Sequence, residues 1–168
     1  MVVGDEIMGA RVISDGMTDW ILEVSKLRKG SKEIIEKALK AGADVMADGF
    51  RSEINDIPTD ERYVKDGEMK SGIRQIQKKG LLDSFGITPI REEDGVYDVH
   101  LGWDGYNELR TKAWPQGQPN KMIARSVNSG TSYMTAYPFI NRSKSKYQKD
   151  AEKVMEETIA EEIGKITE

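Results

Sequence analysis

Residues 123–132, IARSVNSGTS, and residues 137–140, YPFI, stand where a short segment of apolar spacing gives way to a long charged one. Gly130 accepts a positive φ, which suits a helix end or a tight turn. Pro138 lacks a backbone N–H and favours an extended residue before it, which suits entry into a helix. The stretch therefore predicts a helix that ends at Gly130, a polar turn, and a bulky anchor at Phe139.

The segments on both sides of this stretch have helical patterns. Upstream, a short helix is expected over residues 121–128, with Asn120 as a candidate N-cap. Downstream, from about residue 141 to the end, charged residues fill one side of an amphipathic pattern. The apolar residues of the other side are Ala151, Val154, Met155, Ile159, Ile163 and Ile166. The sequence therefore predicts a long C-terminal helix.

The first third of the chain predicts a second long helix or a helix pair. From about Thr18, four apolar residues (Trp20, Ile21, Val24 and Leu27) have helical spacing, with Thr18 as a candidate N-cap. Gly30 interrupts, so either one helix continues or a new one starts at Ser31. The following apolar stripe runs to Ile54 and ends before Pro58. Residues 1–14 lack a clear period and suit either a flexible arm or an edge strand.

Residues 81–101 predict a β-hairpin. Asp94-Gly95 is a strong turn signal between two runs of alternating apolar residues. Pro89 restricts its strand to the edge of a sheet. Two amphipathic helices that flank a hairpin can share one core. We therefore expect an α+β fold with a small antiparallel sheet and the C-terminal helix packed on it.

Residues 58–80 are polar, basic and too long for an ordinary connection between packed elements. The net charge of residues 62–80 is +4, although that of the whole chain is −4. The cations are Arg62, Lys65, Lys70, Arg74, Lys78 and Lys79. They suit a solvated loop, or a contact with DNA or an acidic partner subunit. We take them as candidate contacts with neighbouring subunits, against which this loop would become ordered.

Composition limits the remaining possibilities. A chain of 168 residues is expected to form one domain, and it contains no cysteine for disulfides or thiolate metal sites. No apolar run reaches the length of a membrane span, and the first residues do not resemble a signal peptide. The acidic net charge argues against a dedicated nucleic-acid binder.

No residue pattern supports catalysis, a cofactor or a bound metal. His100 is the only histidine, on the outward side of the hairpin, and no nucleophile motif lies near it. Asp98 and Asp104 lack the ligand spacing of a calcium loop. Ser129-Gly130-Thr131-Ser132 lacks the lysine of a phosphate-binding loop and instead predicts local hydrogen bonds that fix a turn.

The sequence of the opening stretch resembles the signature of the phage tail-component family. The likeness includes an apolar-Ala start, Gly-Thr-Ser, and Ala-x-Pro-Phe-Ile before the last helix, and it extends to residues 80–87 and 102–106. It covers roughly residues 15–165 and departs from the family at Asn128, where members often carry an acidic or aromatic residue. The matching residues are Ala124, Gly130, Thr131, Ser132, Pro138 and Phe139.

The resemblance implies a structural protein of the virion neck that completes the tail or joins head to tail. Family members are thought to form rings, so the implied partners are further copies of this chain, the head connector or stopper, and the tail terminator or tube. Genomic DNA would pass through the ring without sequence readout, and synthesis would be cytoplasmic. Phe139 would anchor the core. A tail-terminator or minor-capsid role stays open.

Two other classes of protein remain as alternatives. A small DNA-binding module would use the basic residues 62–80 and a second basic tract at residues 142–149, which surrounds Tyr147. A hydrolase or nuclease would use His100 or the Asp98 and Asp104 pair and require a metal ion.

Overall fold

The computed structural model describes residues 9–14, 19–25 and 32–167. Four helices and five strands lie in these ranges, and they confirm the α+β class. The strands are β1 (Gly9–Ser14), β2 (Asp19–Ser25), β3 (Phe85–Ile87), β4 (Arg91–Glu93) and β5 (Val96–Trp103). The helices are α1 (Lys32–Asn55), α2 (Gln75–Ser84), α3 (Asn120–Ser129) and α4 (Phe139–Thr167).

The strands form one antiparallel sheet in the order β1-β2-β5-β3, and β4 also pairs with β5. Val12 lies opposite Leu22, and Leu22 lies opposite Val99, so three apolar side chains form a row across the sheet. All three are at most 3% exposed. Since side chains alternate between the faces of a strand, one face of the sheet belongs to the core.

The helix expected from about Thr18 is wrong, because residues 19–25 form strand β2. This strand lies between β1 and β5 and pairs with both. Trp20 and Leu22 are buried whereas Ile21 is only partly buried, which is the period of a strand. Thr18, Leu27 and Ser31 lie outside the described residues. Pairing on both sides overrode the helical spacing, so α1 is the one helix that the described ranges contain before residue 56.

The edge-strand interpretation holds for residues 9–14, and α4 covers the outer side of that strand. The backbone N–H of Val12 donates to Glu152 Oε1 at 3.2 Å, and Gln148 Nε2 donates to the Val12 carbonyl at 3.1 Å. Both backbone groups of Val12 are thus unavailable to another strand, a protection that edge strands commonly need. Residues 1–8 of the expected arm lie outside the described part.

Helices α1 and α4 pack antiparallel over the sheet. Lys37 Nζ lies 2.6 Å from Glu162 Oε1 near one end, and Lys146 Nζ lies 2.6 Å from Glu53 Oε1 near the other. The Glu53 side chain is only 3% exposed, and its hydrogen bond raises the pKa of Lys146. Between these pairs, a side chain at Gly49 would collide with the Tyr147 ring. The helices therefore approach closely where α1 carries glycine.

The hairpin is confirmed at its turn but starts later than expected. Asp94 and Gly95 have φ values of 52° and 80°, as a two-residue turn of this kind requires, and Glu93 pairs with Val96. Strand character begins at Phe85 and not at Gly80, because residues 75–84 form α2. Pro89 lies between β3 and β4, at the edge of the sheet.

Aromatic rings connect the layers of the core. The Phe50 ring lies 5.6 Å from Trp20 and 5.8 Å from Trp103, between ring centroids. Trp103 in turn lies 5.8 Å from Phe139, which is fully buried. These separations are typical of stabilising aromatic pairs. The anchor role expected for Phe139 is therefore confirmed, since its ring joins the start of α4 to the sheet.

No helix in the described ranges combines the length and apolar content that a bilayer crossing requires.

Candidate functional site

The segment after α3 ends that helix and leads the chain into α4. Ala124 is fully buried in α3. Gly130 ends that helix with φ of 78° and donates its N–H to the Ser126 carbonyl at 2.8 Å, as expected. A side chain at Gly130 would also meet the backbone nitrogen of Ala136 at 2.9 Å. Glycine is thus needed here both for its conformation and for space.

Asn120 is not the N-cap of α3. Pro119 occupies that position, and Asn120 is the first helical residue. Its side-chain Nδ2 donates to the Asp104 carbonyl at 3.0 Å, so the amide ties α3 to the loop after β5. Tertiary contact therefore determines the role of Asn120.

Asn128 caps the next helix, a role that sequence reasoning missed. Its Oδ1 accepts the backbone N–H of Ile140 at 3.0 Å and of Asn141 at 3.3 Å, in the first turn of α4. Pro138, directly before α4, has no N–H, and its carbonyl accepts the Arg142 N–H at 3.0 Å. The cap comes from a residue ten or more positions upstream, so a search for a local cap could not find it.

The turn between α3 and α4 is held by Thr131. Its N–H donates to the Met134 carbonyl at 2.9 Å, and its Oγ1 accepts the Tyr133 N–H at 3.3 Å. This is the local bonding expected for a hydroxyl-rich turn. Ser132 is exposed.

The loop between α1 and α2 spans residues 56–74. It ends six residues before the C-terminal end of the expected 58–80 loop, because residues 75–84 form α2. Asp60 N–H donates to the Ile73 carbonyl at 2.8 Å, and Ile73 N–H donates to the Pro58 carbonyl at 3.1 Å, which joins the two ends of the loop. Lys70 N–H donates to the Tyr133 carbonyl at 2.7 Å. The first two bonds close the loop on itself, and the Lys70 bond attaches it to the turn between α3 and α4.

Asp60 organises the interior of this loop. Its carboxylate accepts hydrogen bonds from the Arg62 guanidinium at 2.8 and 2.9 Å, and from the backbone N–H groups of Arg62 and Ser71 at 3.1 and 3.0 Å. The Arg62 side chain above all, then these N–H groups, hold the pKa of Asp60 well below its ordinary value. The loop is therefore ordered within one chain, contrary to the expectation that neighbours would order it.

The six candidate contact cations divide into two groups. Arg62 pairs with Asp60, Arg74 pairs with Glu61 at 3.2 Å, and Lys79 pairs with Asp83 one helical turn away. Lys78 Nζ donates to the carbonyls of Asn55 and Ile57, the latter at 2.9 Å, and so closes the C-terminal end of α1. Within the described ranges, the Lys65 and Lys70 ammonium groups have no ion-pair partner. These two remain available to a partner molecule.

Large apolar side chains project beside these two lysines. Tyr63 is 89% exposed, Met69 46% and Tyr133 55%. The Arg74 guanidinium lies 5.5 Å from the Tyr63 ring centroid, which orients the ring. We call the surface formed by Tyr63, Lys65, Met69, Lys70 and Tyr133 the loop face. Tyr133 belongs to the turn between α3 and α4, and the other four residues belong to the loop. Exposed apolar groups gathered in this way are typical of a contact surface.

The residues considered for catalysis or metal binding lie on β5 and at the start of the loop that follows it. His100 Nε2 and Arg91 Nη2 approach the Asp98 carboxylate at 3.4 and 3.3 Å, on the sheet face away from the helices. Asp104 Oδ1 accepts the N–H of Gly105 at 2.7 Å. Across the described part of the chain, no cluster of three or more His, Asp or Glu residues is placed to hold a metal ion.

The second basic tract is partly engaged within the chain. Lys146 pairs with Glu53, and the Arg142 guanidinium lies 4.2 Å from the centroid of the Tyr137 ring. Tyr147 packs against Gly49. Lys144 and Lys149 are exposed on α4. Half of this tract therefore serves the packing of α4.

Comparison with known proteins identifies no relative, since no family model, no curated protein sequence and no solved structure matches this chain.

Proposed function

We propose that this chain is a structural subunit of the neck of a tailed phage or a phage-derived tail particle. In this role it forms a ring between the head connector and the tail tube, and it completes the tail or joins it to the head. It acts without catalysis or cofactor, and DNA passes through the ring without sequence readout. It is made in the host cytoplasm and incorporated into the virion.

The loop face is the observation that carries this proposal. Asp60 and the Ile73 backbone fix the loop internally, yet Tyr63 and Met69 remain exposed. Solvent exposure of apolar groups carries no benefit for the isolated chain, because it forgoes the free energy of their burial. A rigid surface of this kind loses little conformational entropy when it binds another protein. The resemblance to tail components supplies the biological setting.

The part of the signature that lies in or against the core fits a structural role. Ala124, Gly130 and Phe139 form the joint that connects α3, α4 and the sheet. Their likeness to the family is therefore a likeness in architecture, and the surfaces that select partners lie outside it. A tail-terminator or a minor-capsid subunit would use the same joint.

A DNA-binding module is the second candidate, and Lys65 and Lys70 favour it. Both lysines border a concavity of about 820 Å³ that Arg110, Tyr63 and Tyr133 also line. Cations next to aromatic rings are typical of nucleic-acid grooves. This candidate predicts binding to duplex DNA that weakens steeply with salt.

Deletion of the gene from the phage or prophage that encodes this chain tests the main proposal. We expect filled heads and separate tails in electron micrographs, and complementation in trans should restore joined particles. A Lys65→Glu/Lys70→Glu variant should fail to complement, whereas Lys144→Glu/Lys149→Glu, with the same charge change on α4, should succeed. Lys78 is unsuitable for charge reversal because it closes α1. Normal particles from the deletion strain would refute the neck role.

A further inference from the structure

An apolar groove lies between α1 and the edge of the sheet formed by β3 and β4. Leu39, Ala43 and Val99 are buried at its base, and the exposed Ile87 and Pro89 form its outer wall. The groove has a volume of about 610 Å³. Ile87 is 40% exposed, and Thr88 and Pro89 beside it on the same wall are exposed as well. The groove is therefore large enough to accept one or two bulky apolar side chains.

Acidic side chains border this groove. Glu33, Glu36 and Asp44 of α1 line it together with Lys37 and Lys40. Lys37 is paired with Glu162 at 2.6 Å, and Glu36 is paired with Lys32 at 3.8 Å. Within the described ranges, Glu33, Asp44 and Lys40 are therefore the charged groove residues without an ion pair, and they leave one carboxylate in excess. The strand and turn that continue from the groove add Glu92, Glu93 and Asp94, all exposed. The surroundings are thus acidic, whereas the loop face is basic.

The groove and the loop face lie at opposite ends of α1. The groove borders residues 33–44, in the N-terminal half of the helix, and the loop begins after Asn55 at the other end. At 1.5 Å per residue, Leu39 and Asn55 are about 24 Å apart along the helix axis. The loop is also attached to the turn between α3 and α4, where the Lys70 N–H donates to the Tyr133 carbonyl. One chain therefore cannot place its own loop face in its own groove.

We infer that the loop face of one copy docks in the groove of a second copy. Tyr63 and Met69 enter the groove between α1 and Ile87, and Lys65 and Lys70 face Glu33 and Glu36. Apolar burial supplies the affinity, and the opposite charges orient the two copies. The pairing joins exposed apolar side chains and two cations without an ion-pair partner on one surface to an open apolar groove bordered by carboxylates on the other.

Contacts between two different surfaces produce head-to-tail association. Every added copy presents a free loop face at one end and a free groove at the other, so assembly continues until the chain of subunits closes. A rotation between successive copies that closes gives a ring, and one that does not close gives a filament; the proposed function requires the ring. Its place in a virion rests on the proposed function, whereas the contact itself does not. Strand addition at β1 is not involved, since α4 side chains cover Val12.

Charge exchange across the contact tests the inference. The loop variant is Lys65→Glu/Lys70→Glu, the groove variant is Glu33→Lys/Glu36→Lys, and the control is Lys144→Glu/Lys149→Glu. Light scattering after size-exclusion chromatography gives the mass of each. The wild type and the control should be oligomeric. The loop and groove variants, folded as judged by circular dichroism, should each associate at least about tenfold more weakly, because like charges then face each other.

Mixing the two variants is the decisive step. A reversed loop faces a reversed groove in the mixture, and each unchanged surface also finds an unchanged partner, so the oligomeric mass should return. A monomeric wild type, a variant that keeps the wild-type mass, or a mixture that stays monomeric would overturn the inference. A monomer whose duplex-DNA binding is lost in the loop variant would assign the loop face to DNA instead.

Failure of this contact and failure of the neck role give different results. A monomeric wild type combined with a joining defect in the deletion strain removes the contact and keeps the function. Oligomers that follow the charge rules combined with normal particles from the deletion strain keep the contact and remove the function.

Discussion

Replacing Gly49 with alanine tests the close packing of α1 on α4. A Cβ atom at this position would lie 2.4 Å from Tyr147 Cδ2 and 2.5 Å from Cγ. Carbon atoms pack best at about 3.5–4.0 Å, so the ring and the new methyl group must separate by roughly 1 Å or more. Either the Tyr147 side chain changes rotamer or the helices move apart.

The expected cost follows from two opposing effects. Overpacking a well-filled contact costs about 1–3 kcal/mol. Alanine in a helix is favoured over glycine by about 1 kcal/mol. The net loss of unfolding free energy for Gly49→Ala is therefore about 0–2 kcal/mol. For a chain of 168 residues this lowers Tm by up to about 8 °C.

Two other glycines provide matched controls. Gly164 also lies in a helix, and no atom lies within 4 Å of its added Cβ, so Gly164→Ala should stabilise by up to about 1 kcal/mol. Gly42 faces Met155 Cγ and Sδ at 2.5 and 2.8 Å, and this flexible side chain adapts readily, so Gly42→Ala should lie between the two. Urea unfolding followed by circular dichroism measures all three. Equal stabilisation by Gly49→Ala and Gly164→Ala would refute the packing.

Three further predictions concern single side chains. Lys78→Met should cost about 1.5 kcal/mol in thermal unfolding because charged hydrogen bonds to α1 carbonyls are lost; Lys79→Met, equally conservative, should leave Tm unchanged. Phe139→Ala should cost about 3–5 kcal/mol in urea unfolding, since a buried ring leaves a cavity, and a cost below 1 kcal/mol would contradict the anchor role. Folding lowers the pKa of Asp60, so its ionised carboxylate stabilises the folded state above its unfolded pKa of about 4. This stabilisation is lost as pH falls further. Asp60→Asn should therefore speed proteolysis of the loop at pH 7 and flatten the acid dependence of wild-type stability; identical cleavage rates would exclude the role of Asp60.

Local sequence patterns are sufficient to predict the elements whose determining residues lie nearby in the sequence. The Asp94-Gly95 turn, the Gly130 helix end and the buried stripe of α4 at Ala151, Met155 and Ile159 follow from backbone freedom and helical period. Each depends on neighbours within a few residues. The two-layer arrangement followed because these amphipathic elements must cover each other.

The errors fall where distant partners decide the structure. Trp20 and Ile21 belong to a strand because β1 and β5 pair on both sides, which spacing within residues 18–27 does not reveal. Helix α2 was missed because only Leu81 is buried in it and Gly80 interrupts its pattern. A side chain at Gly80 would meet Asn120 Oδ1 at 2.6 Å, a reason for glycine that depends on α3.

The sequence indicates where the candidate contact surface lies but not which of its side chains are available for contact. Basic composition identified the loop, yet it could not separate Lys78, which closes α1, from Lys65 and Lys70, which remain available. Tyr63 and Met69 were not singled out, because their exposure depends on how Asp60 folds the loop. The signal present in the sequence was two large apolar residues within a polar, glycine-containing stretch.

Labelling the chain in intact particles tests the central claim most directly. Tailed particles from the strain that carries this sequence would be decorated with a gold-conjugated antibody against the chain and imaged by electron microscopy. The account predicts label at the junction of head and tail. Label confined to the capsid shell or to the tail tip, or particles that contain none of the chain by mass spectrometry, would contradict it.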